Sequence, residues 1–148
     1  MARVDGKVII CTGGTQGVGE ACALLAAETG AEGVVICGRQ EELGQSVAAK
    51  ITDLGSRGVF VRADLSLEED CRNVVRVCDQ EFGRVDGLVN AAADTNRGTV
   101  EETTVEFWDY QFAVNVRAPF LLTQESVRIM QREQSSGSIV NILSVAGY

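Results

Sequence analysis

Short apolar runs alternate along the chain with longer segments in which apolar side chains recur at helical spacing. The short runs are typical of parallel strands covered on both faces, and they lie at 7–12, 33–37, 59–61, 86–90 and 137–143. The helical segments lie between them, at 20–29, 40–54, 66–82 and 103–134. Strands that alternate with helices predict an α/β fold, a doubly wound parallel sheet with helices on both faces.

The first predicted helix has a candidate inner face. Val18, Ala21, Cys22 and Leu25 recur at helical spacing, so we expect this face to pack on the sheet.

Two later helices carry capping signals, and one of them carries a breaker. Ser66 with Glu69, and Thr103 with Glu106, have the spacing of a capping box, so each pair predicts a helix start. Pro119 lies inside the last helical segment and predicts a bend or a local break there.

Length and composition limit the class of protein. The 148 residues predict one domain, at 1–148, and 45% hydrophobic residues are ordinary for a globular protein. No apolar stretch is long enough to span a membrane, and the start lacks the apolar region of a signal peptide. The net charge of −8 argues against nucleic acid or an anionic membrane as a partner. We therefore expect a cytoplasmic protein.

Cysteine and histidine content narrows the chemistry. The five cysteines lie in apolar patterns without any C-x-x-C spacing, which is typical of reduced core thiols. The chain has no histidine, so a zinc site is improbable and a His-dependent catalytic triad is excluded within it. We expect no metal.

The segment 11–19 joins the first strand to the first helix through a glycine turn of spacing G-G-x-x-G-x-G. Such a turn presents backbone N–H groups and a helix N-terminus to phosphate. A Walker loop is excluded because Glu20 and Ala21 stand where lysine and a hydroxyl residue are required. The common G-x-G-x-x-G dinucleotide fingerprint is also absent, although the wider spacing offers the same donors.

Polar residues stand where the predicted strands end. Ligands of doubly wound sheets bind at the carboxyl ends of the strands, near the switch point. Five candidate residues lie at such ends, namely Thr12, Arg39, Asp64, Asn90 and Ser144.

Four motifs, in order, resemble those of the short-chain dehydrogenases/reductases. They are Thr12-Gly13-x-x-x-Gly17-x-Gly19, Leu88-Val89-Asn90-Ala91-Ala92-Ala93, Asn115-Val116, and Gly137-Ser138-Ile139-Val140-Asn141-Ile142-Leu143-Ser144. The resemblance covers the whole chain. It implies a Rossmann-like fold, an NAD(P)-dependent oxidoreductase acting on a carbonyl or secondary alcohol, and a homodimer or homotetramer that uses the long helix.

The resemblance also implies residue roles. Ser144 would form a hydrogen bond with the reacting carbonyl or hydroxyl oxygen of the substrate, and Asn115 would order a water in a proton relay. Thr12 would tie the glycine turn to the Asn90 strand. The implied cofactor-binding residues are Thr12, Gly13, Thr15, Gln16, Gly17, Val18, Gly19, Arg39, Asp64, Leu65, Asn90, Ala91 and Ala92.

The chain departs from the family pattern in two places. Ala91 and Ala93 replace an asparagine and a glycine, and since all are small we expect little functional change. The family's Tyr-x-x-x-Lys is expected about a dozen residues after Ser144, beyond Tyr148, and Tyr148 itself is expected to line the cleft. We therefore expect an incomplete fold without its last strands, and little activity from these 148 residues alone.

The second strand bears on cofactor choice. An acidic residue at its end would select NAD, but Gly38 stands there and Arg39 follows. A guanidinium can pair with a 2′-phosphate, which favours NADP, or stack on adenine, which leaves NAD possible. Gln16 adds no positive charge to the glycine turn, which weakens the case for NADP.

Two other classes share these features. A non-catalytic NAD(P)-binding module, acting as a sensor or partner-binding domain, remains an alternative. An S-adenosylmethionine methyltransferase usually has an acid before the first glycine and another after strand two. Thr12 and Gly38 stand there instead, so that class is disfavoured.

Overall fold

The computed structural model describes residues 3–144, and within them it shows a five-stranded parallel sheet. The strand order is β3-β2-β1-β4-β5. The first three strands are added towards one edge of the sheet and the last two towards the other, so the switch point lies between β1 and β4. The strands are β1 Val8–Thr12, β2 Gly33–Gly38, β3 Arg57–Arg62, β4 Gly87–Asn90 and β5 Ser138–Asn141. The doubly wound sheet predicted from the apolar runs is confirmed, with β3 longer and β5 shorter than expected.

Helices connect the strands and cover both faces of the sheet. They are α1 Gly17–Glu28, α2 Glu41–Asp53, α3 Glu68–Phe82, α4 Val105–Phe112 and α5 Ala118–Arg132, with a π-helical segment Ala113–Arg117 between α4 and α5. None of the helices within residues 3–144 is both long and apolar enough to cross a bilayer.

Alternate residues of each strand enter different cores, which is why the strands read as unbroken apolar runs. On one face, Val8 and Ile10 pack with α3 and α5. On the other face, Cys11 packs with Ala23 and Ala27 of α1 and with α2.

The predicted inner face of α1 is wrong. Val18 and Leu25 are 56% and 43% exposed, whereas the buried positions are Gly19, Ala23 and Ala27. These three recur every four residues and have little or no side chain, so the helix axis can lie close to the sheet. The buried face of α1 is therefore the one whose small residues let the helix backbone approach the sheet, and not the one with the more hydrophobic side chains.

Both predicted capping boxes are also wrong in detail. The N-cap of α3 is Leu67, one residue after Ser66, and its side chain makes no capping bond. The N-cap of α4 is Thr104, whose hydroxyl accepts from the N–H of Phe107 at 3.2 Å. Threonine stands at both 103 and 104, so sequence spacing alone did not identify which hydroxyl faces the helix.

The break expected near Pro119 is confirmed as the π-helical segment. Proline has no N–H, so it cannot donate to the carbonyl of Asn115, its partner in a regular α-helix. Widening the helix by one residue just before Pro119 accommodates this loss.

A buried carboxylate anchors the start of the sheet. Asp86 accepts from the N–H of Val8 at 3.0 Å and from Arg84 at 2.7 Å, with Lys7 at 3.4 Å. Burial acts to raise the pKa of Asp86, but the bonds from Arg84 and Val8 and the nearby cations outweigh it. The pKa of Asp86 is therefore lowered.

Candidate functional site

The glycine turn is tied to the end of β4 by one buried hydroxyl. Thr12, the last residue of β1, is 1% exposed. Its Oγ1 accepts from the N–H groups of Ala91 and Ala92, each at 3.1 Å, and lies 3.4 Å from the carbonyl oxygen of Val89. This is the tie between the turn and the Asn90 strand that the resemblance implied.

Glycine is required at several points of the turn for steric reasons. Gly13 and Gly17 have φ of 63° and 59°, a region that side chains disfavour. A Cβ on Gly13 would lie 2.9 Å from Cα of Ala92, and one on Gly19 would overlap the carbonyl of Gly13. The turn and the end of β4 are therefore in backbone contact, which leaves backbone groups to line this edge.

The start of α1 is open to a ligand. Its N-cap, Gln16, makes no side-chain capping bond, and both Gln16 and Gly17 are exposed. Val18 is exposed beside them. The first N–H groups of this helix carry the partial positive charge that attracts phosphate.

The end of β2 packs against the same turn. A Cβ on Gly38 would lie 2.7 Å from Cγ2 of Thr15, so an acidic side chain at position 38 would displace Thr15. Arg39 is exposed, and its Nη1 donates to the hydroxyl of Tyr110 on α4 at 3.3 Å. The structure thus places a guanidinium directly after the second strand, where the sequence has Gly38 followed by Arg39.

Asp64 lies further out, after the end of β3. Its Oδ1 accepts from the N–H of Ser66 at 2.9 Å, and its own N–H donates to Asp70 at 2.7 Å. Leu65 beside it is buried. These bonds hold the 64–66 turn in shape at the edge of the sheet.

The side chain of Asn90 links β4 to β5 through one of its two polar atoms. Its Nδ2 donates to Oδ1 of Asn141, its partner in register, at 2.9 Å. Among residues 3–144, the buried Oδ1 of Asn90 receives no hydrogen bond. A buried acceptor without a donor is costly, so this oxygen is available to a donor on a bound molecule.

The side chain of Asn115 holds the loop that follows β4. Its Oδ1 accepts from the N–H of Asp94 at 2.9 Å, and its Nδ2 donates to the Asp94 carbonyl at 3.0 Å and to Gln111 at 2.8 Å. The Asn115 amide therefore clamps the loop backbone. The backbone carbonyl of Asn115 is the acceptor to which Pro119, having no N–H, cannot donate a hydrogen bond.

Asp94 is the centre of this loop. Its carboxylate accepts from Gln111 at 2.7 Å and from the backbone and side chain of Asn96 at 2.9 and 3.1 Å. Partial burial acts to raise its pKa, but these bonds and the positive charge of Arg39 outweigh it. The pKa of Asp94 is therefore lowered.

An open cavity of about 1430 Å³ lies between the ends of β4 and β5, the 91–104 loop and the α4–α5 segment. Asn90, Ala92, Asn115 and Ser144 all line it. The structure thus brings together the two predicted catalytic residues and the end of β4. The glycine turn adjoins this cavity through the contacts of Thr12 and Gly13. The prediction that Tyr148 lines the cleft falls outside the described residues.

Sequence reasoning missed four residues that organise this edge, namely Asp94, Tyr110, Gln111 and Asn141. Asn141 could have been found, because it ends β5 as Asn90 ends the neighbouring β4. Tyr110 meets Arg39 across 71 positions of sequence, and no local pattern indicates that contact.

A doubly wound sheet with a glycine turn at its carboxyl edge defines a nucleotide-binding α/β protein. The sequence model of the short chain dehydrogenase family matches residues 7–148. An uncharacterized oxidoreductase of Thermotoga maritima is 39% identical over 143 residues, covering 97% of this chain and 55% of that protein. The chain belongs to the short-chain dehydrogenase family.

Solved structures agree with this assignment. A putative short-chain alcohol dehydrogenase from Sinorhizobium meliloti 1021 superposes with a TM-score of 0.92 at 30% identity, covering 99% of this chain and 57% of that one. A metagenomic short-chain oxidoreductase in complex with NADP has a TM-score of 0.89 at 31% identity, covering 98% and 65%. This chain therefore spans little more than half the length of the relatives that it matches.

Proposed function

We propose that the protein is an NAD(P)-dependent oxidoreductase that acts on a small carbonyl compound or secondary alcohol. The observation that carries the proposal is the junction at the end of β1, where Thr12 and Gly13 hold the glycine turn against Ala92. This junction sets a phosphate-binding turn beside a cavity that contains Asn115 and Ser144.

The residues at this edge fit a dinucleotide. The turn from Gly13 to Gly19, with Thr15, Gln16, Gly17 and Val18, would hold the pyrophosphate at the start of α1. Asp64 and Leu65 would contact the adenine. Asn90, Ala91 and Ala92 would lie along the cofactor at the end of β4. The Oδ1 of Asn90, which receives no hydrogen bond from residues 3–144, can accept one from a bound group there.

We assign NADP as the preferred cofactor. Thr15 occupies the space beside Gly38 that an acidic, NAD-selecting side chain would need. The neighbouring Arg39 supplies the positive charge that a 2′-phosphate requires. The related metagenomic structure in complex with NADP is consistent with this assignment.

Two residues of this chain would serve the reacting groups. When bound, the nicotinamide supplies or accepts a hydride. The Ser144 hydroxyl would donate to the substrate oxygen and stabilise charge that develops there. The Asn115 side chain is engaged by Asp94 and Gln111, so we assign the water-holding role to its backbone carbonyl.

The cofactor assignment is tested by titrating the protein with NADPH and NADH and following nicotinamide fluorescence. Arg39→Ala should lower the ratio of NADPH to NADH affinity by about tenfold or more, since a charge-assisted bond contributes about 1.5–3 kcal/mol. Arg128→Ala is the matched control, because Arg128 lies on α5 and pairs with Glu125. An unchanged ratio in Arg39→Ala contradicts the NADP assignment.

We also propose that the protein is a homo-oligomer. Four large apolar side chains, Trp108, Phe112, Val116 and Phe120, recur every four residues along α4–α5, and each is 48–60% exposed. Trp108 and Phe112 stack with ring centroids 4.7 Å apart. Such a stripe is typical of a protein interface. Light scattering should give a multiple of the chain mass, and Val116→Lys should lower it.

We place the protein in the cytoplasm. All five cysteines are free thiols, and four of them are buried. Burial raises the pKa of Cys11, Cys37 and Cys78 to about 12. Buried thiols with a raised pKa favour the reduced form, which the cytoplasm maintains.

A further inference from the structure

The bond between Arg39 and Tyr110 crosses the proposed nucleotide site. Arg39 directly follows β2, and Tyr110 lies on the helix that comes after β4. These two strands are not neighbours, because β1 lies between them. The side chain of Arg39 must therefore extend across the end of β1, where the glycine turn begins.

The far end of this bond lies beside the hydrogen-bonded loop that follows β4. Tyr110 is half-buried, and its chain neighbour Gln111 donates to Asp94 at 2.7 Å. Asn115 in turn holds the backbone of Asp94 on both sides. The positive charge of Arg39 contributes to lowering the pKa of Asp94, so the guanidinium also lies near this carboxylate. The guanidinium thus faces Tyr110 and Asp94, and hydrogen bonds hold both the carboxylate and the backbone of Asp94.

We propose that Tyr110 is a positioning residue for cofactor selection. It holds the guanidinium of Arg39 over the nucleotide groove, where the remaining N–H groups of Arg39 meet the 2′-phosphate of the adenosine. The proposal rests on the NADP assignment made above and adds the residue that makes the arginine effective.

The physical reason is the conformational freedom of arginine. An exposed arginine loses side-chain freedom when it binds a ligand, and the Tyr110 hydroxyl removes part of that freedom beforehand. A guanidinium has five N–H donors, so one bond to the phenol leaves enough for bidentate contact with phosphate. Loss of the phenol oxygen should therefore weaken binding of a 2′-phosphate and leave the rest of the nucleotide unaffected.

The test measures binding of two probes by calorimetry, adenosine 2′,5′-bisphosphate and 5′-AMP, which differ only in the 2′-phosphate. Tyr110→Phe should weaken the bisphosphate by about three- to tenfold, the cost of immobilising one long side chain. Its effect on 5′-AMP should be negligible. Arg128→Ala is the control, because Arg128 lies on α5 and pairs with Glu125, away from the nucleotide groove.

A double-mutant cycle separates positioning from a general structural effect. In an Arg39→Ala background, Tyr110→Phe should have no further effect on bisphosphate affinity, because the group that it positions is gone. The proposal is overturned if Tyr110→Phe leaves the bisphosphate affinity unchanged, or if its effect persists without Arg39.

Failure of the underlying assignment has a different signature. If Arg39→Ala alone weakens both probes equally or neither, the NADP assignment is wrong, whatever Tyr110 does. If Arg39→Ala selectively weakens the bisphosphate but Tyr110→Phe does not, only the positioning role of Tyr110 is wrong.

Discussion

Replacement of Thr12 by valine tests the junction on which the site depends. Valine has nearly the shape of threonine, so the change removes the oxygen and little else. The N–H groups of Ala91 and Ala92 then lose the acceptor that each reaches at 3.1 Å.

The magnitude follows from those two donors. A buried donor left unsatisfied costs about 1–3 kcal/mol, and because Ala91 and Ala92 are only half-buried we expect about 2 kcal/mol in total. Thr12→Ser is the matched control, since it keeps the hydroxyl and loses one methyl group, worth about 1 kcal/mol.

Urea unfolding followed by circular dichroism measures both variants. For an m value of about 1–3 kcal/mol per molar, Thr12→Val should lower the unfolding midpoint by roughly 1 M. Hydrogen exchange gives a more specific readout, because the amides of Ala91 and Ala92 should exchange faster in Thr12→Val and not in Thr12→Ser. Equal stability and equal exchange in the two variants would refute the reasoning.

Three further outcomes are expected. Asp86→Asn should make the free energy of unfolding depend less on pH in the acid range. The pKa of Asp86 is lowered in the folded state, so its carboxylate stabilises the fold above about pH 4 and this contribution disappears as the pH falls further. Unfolding at several pH values measures the difference. Gly38→Asp should weaken both NADPH and NADH in fluorescence titrations by displacing Thr15. Adding Thr15→Ala should restore NADH binding alone, and no recovery would count against the steric argument. Asn115→Ala should speed hydrogen exchange at the Asp94 amide by about tenfold, the equivalent of one hydrogen bond, and unchanged exchange would argue against the clamp.

Local sequence was sufficient for the sheet and for its edge. Unbroken apolar runs predict parallel strands because both faces of such strands are covered, and all five strands were found where these runs lie. The polar residues that end the strands could also be identified, because each follows directly after one of these apolar runs. Parallel strands all finish at one edge, so Thr12 and Asn90 were both expected there, whereas the tie between them was implied only by the family resemblance.

Features that depend on close approach were outside the reach of sequence patterns. The inner face of α1 is set by Gly19, Ala23 and Ala27, whose small size matters only once the helix lies against the sheet. Hydrophobicity marks large side chains, so it selected Val18 and Leu25 instead.

Contacts across the edge of the sheet were decided by tertiary structure alone. The sequence determined that the glycine turn, Arg39 and Ser144 lie at strand ends on one edge of the sheet, and that Asn115 lies on the long helical segment. Only the folded chain showed that Arg39 reaches Tyr110 across β1, and that the Asn115 side chain is occupied by Asp94. Both contacts join residues far apart in the sequence, so they arise from long-range packing and not from neighbouring residues.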